Sequence, residues 1–231
     1  MNVHPLYGAR KRIERADKHL NEIISEVEAY ALTHQNNITL KYDEIRNNSR
    51  LHFVIPQPLP ITVALAVSDC IHNLRAALDY LIFELSREDS GDPDPSGTQF
   101  PITTEDEFIK HRKARLKNKG PLRYLTLAHI DAIEAYQPYK GINWTQTMRD
   151  ISNPDKHREI TVIGDRADTL ISGGAGEVFK GAGVDRSDVQ MERKTTVTIA
   201  FRDGRPVIET LEILKQQVSL VIDSFSPEFK V

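Results

Sequence analysis

Residues 61 to 87 constrain this chain more than any other stretch. Val67, Ile71, Leu74, Leu78, Leu81 and Leu85 are spaced 4, 3, 4, 3, 4, which lines all six along one stripe of an α-helix. At about 100° per residue, the opposite side holds Leu65, Asp69, His72, Ala76, Asp79, Tyr80 and Phe83. Leu65, Ala76 and Phe83 alternate there with the polar groups. A helix that is apolar on two sides sits at the centre of its fold. Asp69, His72 and Asp79 are then expected in a second, partly buried interface.

Other elements arrange themselves around that helix. Ile13, Ala16, Leu20, Ile23, Val27 and Tyr30 recur at 3, 4, 3, 4, 3 and predict a long first helix over about 6–32. Alternation at Ile38, Leu40 and Tyr42, and again at Leu51, Phe53 and Ile55, predicts an N-terminal β-hairpin, with Asn47, Asn48 and Ser49 as its turn. Pro56, Pro58 and Pro60 end it. Thr104 and Thr126 cap further helices, and a short helix holds Trp144, Met148 and Ile151. After about residue 160 the texture is β-branched: Ile160 to Ile163, Val178-Phe179 and Thr195 to Phe201. Gly173, Gly174, Gly176, Gly181 and Gly183 punctuate it, and Asp203-Gly204 reads as a turn. A small C-terminal antiparallel sheet is expected there. Leu211, Leu214, Val218, Val221 and Phe225 then form a closing helix that could pair with the first. The expected fold is α+β and mainly α, a helical bundle around one long central helix. It forms a single domain over 1–231: a helical core over about 1–158, a β region over about 159–208 and a closing helix over 209–225.

Composition narrows the class. Hydrophobic residues are 39% and charged residues 27% of 231, with a net charge of −3, so a disordered or fibrous chain is excluded. The weak negative charge means that any nucleic-acid function requires a local basic patch. One cysteine, Cys70, rules out an intrachain disulfide and a cysteine-based zinc site. No apolar run is expected to reach the roughly 20 residues needed to span a bilayer. The opening residues lack the apolar core of a secretory signal. A cytoplasmic protein with no membrane partner is the expectation.

Two segments carry chemistry. In the first, Asp69 and His72 are three residues apart on the central helix, with Asp79 two turns further along the same side. A histidine between carboxylates is held in one tautomer with its charged form favoured, which suits acid–base work. The same pair equally describes a hydrogen-bonded brace locking the helix. In the second, Asn153-Pro154-Asp155 has the N-cap, N1 and N2 signature of a helix start. Lys156, His157 and Arg158 would then crowd cations at a helix N-terminus, an arrangement that suits a phosphate or carboxylate. A solvated basic turn is the plain alternative. A metal could draw Asp69 and His72 from one segment and Asp155 and His157 from the other. No cofactor is expected. His111 to Tyr124 contains Arg112, Lys113, Arg115, Lys117, Lys119 and Arg123 and no acid, a surface able to track phosphates.

The two segments coincide with a resemblance. The chain resembles a group of uncharacterised bacterial proteins that share His-Asn-Leu-Arg-x-Ala-Leu-Asp, Phe-Pro-Ile, Gln-Pro-Tyr and Asp-Lys-His-Arg. Here these blocks are His72 to Asp79, Phe100 to Ile102, Gln137 to Tyr139 and Asp155 to Arg158. The resemblance implies that His72, Asn73, Arg75, Asp79, Lys156, His157 and Arg158 belong to one set. A weaker similarity is to the HEPN ribonucleases, helical bundles that cleave RNA without metal through an arginine and a histidine. Arg149 precedes His157 with seven residues between them, a longer gap than that family's motif has. The expected function is therefore binding of RNA or a small anionic ligand in a polar pocket between the central helix and the 153–158 turn. His157, Arg149 and His72 are the catalytic candidates, and Asn73, Arg75, Asp79, Lys156 and Arg158 the ligand-binding ones. A non-catalytic regulatory protein and a metal-dependent enzyme are the alternatives. The heptad stripes also allow a homodimer.

Overall fold

Two long antiparallel helices form the spine of the molecule: α1, Tyr7–Thr33, and α2, Ile61–Ser90. The computed structural model describes residues 3–33, 38–43, 48–53, 59–91, 93–94, 96–155, 162–172 and 192–229. Side chains are described over 3–33, 59–91, 93–94, 96–152 and 197–229. The register of the pair is set by contacts along its whole length. A Cβ at Gly8 would lie 2.8 Å from two ring carbons of Tyr80, so the ring packs directly on the α1 backbone. Arg12 donates to Asn73 Oδ1 at 3.2 Å, and Thr62 donates to Glu26 at the far end. Between them, the thiol of Cys70 faces the Ala16 carbonyl at 3.4 Å. The stripe Val67, Ile71, Leu74, Leu78, Leu81 and Leu85 is buried throughout.

Burial pushes the Cys70 thiol up to about 12, well above its ordinary value. The folded protein thus keeps a proton that the unfolded chain releases as pH rises above the ordinary thiol range, and stability declines in that direction. At pH 8 Cys70 is expected to react with an aromatic disulfide reagent only at the rate of local or global opening. Prompt stoichiometric release of the chromophore from native protein would contradict this burial.

Helix α3, Glu105–Arg115, begins with a capping box in which Thr104 and Glu107 bond each other's backbone N–H groups. Helix α4, Leu127–Glu134, is capped by Thr126. Helix α5, Asn143–Asp155, packs on α2, and α6, Val207–Ser224, packs against both α1 and α2. Arg10 pairs with Asp223 at 2.6 Å, and Lys215 pairs with Asp17. The last helix therefore closes on the first.

Three expectations are corrected. The fold class is mainly α, not α+β: among the described residues six α-helices form the body, one strand lies against it, and no sheet layer is built. Among the described residues, extended backbone occurs as two antiparallel pairs, Ile38–Asp43 with Asn48–Phe53 and Val162–Ser172 with Glu192–Phe201. Of their described side chains, those that join the core are Val197, Ile199 and Phe201. The expected N-terminal hairpin and C-terminal sheet are not structural parts of the body, because a two-stranded ribbon has no face wide enough to build a core. Second, Asn153-Pro154-Asp155 ends α5 and does not start a helix. Third, α2 is by length and composition apolar enough to cross a membrane; half of that apolar window is buried within the fold, as for a core helix. The expected prolines at 56 and 58, the glycines over 173–183, and Val178-Phe179 lie outside the described residues.

Candidate functional site

Three of the four sequence blocks meet on one short segment, Phe100-Pro101-Ile102. From α2, Asp79 accepts the Phe100 N–H at 2.9 Å, while Arg75 donates to the Phe100 carbonyl. Arg75 and Asp79 are one turn apart, so a single helix face grips both polar groups of one residue. From the other side, fully buried Gln137 donates to the Pro101 carbonyl at 2.7 Å and accepts the Thr103 N–H at 3.1 Å. Phe100 itself is fully buried, and Ile102 nearly so. The segment has no secondary structure of its own, so its backbone groups need side-chain partners once buried. Tyr139 stacks edge-on against Phe108 with ring centroids 6.2 Å apart. Burial, and then the neighbouring Glu134 carboxylate, pushes its phenol up.

Arg75 and Asp79 are thus occupied within the fold, as is Asn73. Asn73 is buried, donates to the Asp69 carbonyl at 2.8 Å and accepts from Arg12. Burial lowers the Arg75 pKa, opposed by the Asp79 carboxylate at 4.0 Å. These three predicted ligand-binding residues brace helices and a loop.

His72 and Asp69 behave differently. Both are exposed, and neither makes a side-chain hydrogen bond or ion pair among the described residues. The expected second interface of α2 is therefore only half formed. Asp79 and Phe83 are half-buried, while Leu65, Asp69 and His72 face outward. The Arg12 guanidinium, bonded to Asn73, lies 5.5 Å from the centroid of the Tyr80 ring. Lys156, His157 and Arg158 lie outside the described residues, and so does the expected convergence of His72 with His157. Arg149 on α5 is held by Gln146 at 2.9 Å and lies 3.9 Å from Asp150. For the metal alternative, no group of three or more histidine, cysteine or acidic side chains is assembled among the described residues. Asp155 is the final residue of α5, and its side chain is outside the described set.

The sequence reading missed a histidine that does sit between carboxylates. His129 Nδ1 is 2.7 Å from Asp89 Oδ2, and its Nε2 is 3.6 Å from Glu228. The same Asp89 oxygen accepts the Thr126 N–H at 2.6 Å. The unit joins the end of α2, the start of α4 and the short 3-10 turn Ser226–Glu228. Nδ1 is hydrogen-bonded to Asp89 and both side chains are largely buried, so the pair acts as a brace between the two helices. Forty residues separate His129 from Asp89, and no local spacing signals the pair. A cleft of about 150 Å³ between α5 and α6 is lined by Trp144, Thr147, Arg205, Thr210, Ile213 and Leu214. It holds none of the predicted residues and is smaller than the few hundred Å³ usual for small-molecule sites.

No protein-family model, curated protein or solved structure matches the chain. Its function must be argued from these contacts.

Proposed function

We propose that the protein binds a phosphate-bearing ligand, RNA first among the candidate classes, on the outer face of α2 around His72, and does not turn it over. One contrast carries the reading. Within a single motif, Asn73, Arg75 and Asp79 are used inside the fold, whereas Asp69 and His72 stand at the surface without partners among the described residues. An exposed polar pair is ordinary by itself, but here it is the part of the motif that the fold leaves open to a ligand. Arg12 supports an anionic ligand: it gives one hydrogen bond to Asn73 and has further donors. In this reading Lys156, His157 and Arg158, the cations of the fourth block, complete the set, and the protein is cytoplasmic.

Binding is favoured over catalysis because a general base requires an orienting partner. His72 has none among the described residues, and Arg149 is tied to its neighbours on α5. His72→Ala is expected to weaken binding of a labelled single-stranded RNA about tenfold or more, the scale of one hydrogen bond to a charged group. Its melting temperature should stay within about 2 °C of wild type, as for an exposed residue. Unchanged affinity would reject the site. Cleaved RNA from wild type, lost in His157→Ala, would replace the reading with the HEPN-like nuclease.

A further inference from the structure

The basic run from 111 to 124 is divided by the fold into two groups with different roles. Its arginines point into the structure. Arg112 pairs with Asp131 at 2.7 Å and Glu134 at 3.0 Å. Arg115 donates to the Leu125 carbonyl, and Arg123 holds the Asp94 carbonyl at 3.1 Å together with Ser96. The lysines do the opposite. Lys113, Lys117 and Lys119 are exposed, and their side chains make no hydrogen bond or ion pair among the described residues. The acids of α3, Glu105, Asp106 and Glu107, are confined to its first turn, at the other end from the lysines.

The backbone presents these lysines in a fixed arrangement. Beyond α3, the N–H groups of Lys117, Asn118 and Lys119 all bond back to Ala114 or Arg115, at 2.9–3.0 Å. Asn118 adopts φ 51°, and Gly120 follows at φ 81°, so the chain turns sharply just after the helix. A mobile polylysine tail would lose more entropy on binding than this turn does.

We propose that Lys113, Lys117 and Lys119 form a contact surface for the phosphate backbone of a nucleic acid. Three cations with no ion-pair partner among the described residues complement a row of phosphates. A membrane surface fits less well. Leu116 is 80% exposed and Ile109 41%, but α3 is polar on every side and has no apolar stripe to bed into lipid. Tyr124, the one aromatic residue of the run, is covered by Arg123 at 4.8 Å, so base stacking contributes little. Contacts of this kind do not read sequence. The surface does not depend on the reading of His72.

The test is fluorescence anisotropy of the full chain with a labelled 30-nucleotide single-stranded RNA of mixed sequence, titrated across salt concentrations. Wild type should bind with an affinity that falls linearly on a log–log plot against salt. Lys113→Glu/Lys117→Glu/Lys119→Glu should bind at least tenfold more weakly and lower the slope by about 2, since each single-strand phosphate contact contributes about 0.7. Substituting the same lysines by Ala, with circular dichroism confirming the fold, should give a smaller loss in the same direction. The proposal is overturned by a triple variant that keeps wild-type affinity and slope. It is equally overturned if wild type binds vesicles rich in anionic lipid but not RNA. Loss of affinity in His72→Ala alone would support the α2 site and reject this surface, and the converse pattern would do the reverse.

Discussion

Gln137→Leu is expected to lower the melting temperature by about 10 °C, the largest effect of any single polar substitution considered. The leucine fills a similar volume but cannot reproduce the two hydrogen bonds that bind the Phe100–Thr103 stretch. The Pro101 carbonyl and the Thr103 N–H would be left buried without partners, at about 1–3 kcal/mol each. For a chain of this length, each kcal/mol moves the midpoint by about 2–4 °C. A thermal melt followed by circular dichroism checks it. A shift below about 2 °C would mean that the segment relaxes to water, and the clasp would then contribute little.

Asp79→Ala is expected to destabilise by about 2–3 kcal/mol, through the same segment from the opposite side. It removes the acceptor of the Phe100 N–H and leaves the Arg75 guanidinium, only 15% exposed, without its carboxylate. The magnitude sits below that of a fully buried pair because the Asp79 side chain is 35% exposed. Arg75→Met/Asp79→Ala should lose less than the sum of the single changes, since removing both charges leaves no orphan. Asp79→Ala with Gln137→Leu should also fall short of additivity, because a segment already released on one side has less to lose on the other. Denaturant titrations of wild type, the three single variants and the two double variants decide both points. Strict additivity would show that the two sides of the clasp act independently.

These expectations also show what the sequence made legible. The apolar stripe of α2 was plain, since periodicity alone marks a face that must be buried. Its other face was half misjudged. Leu65, Ala76 and Phe83 signalled a neighbour, but the covering segment lies at Arg75 and Asp79 and leaves Asp69 and His72 outside. A pattern of residue types records that a face wants cover, not how far the cover extends. Asn153-Pro154 misled for a related reason. Pro154 removes one backbone donor, a local preference for a helix start, yet α5 continues to Asp155 with Met148, Ile151 and Ser152 buried along it. Packing outweighed the local signal. Alternation at 38–42 and 51–55 marked extended backbone, but it carried no information on whether a core would form against it. Three of the blocks grip each other in the fold, a contact that no single block announces, and the pair His129–Asp89 leaves no trace in local spacing.

The position of α6 has a consequence in time. Its apolar residues Leu211, Leu214, Val218 and Val221 fill the groove along the α1–α2 hairpin, although some 120 residues separate the end of α2 from them. During synthesis the hairpin emerges long before its third wall exists. A nascent chain therefore carries an open, greasy trough until α6 has left the ribosome, which is the interval in which a chaperone would have most to hold.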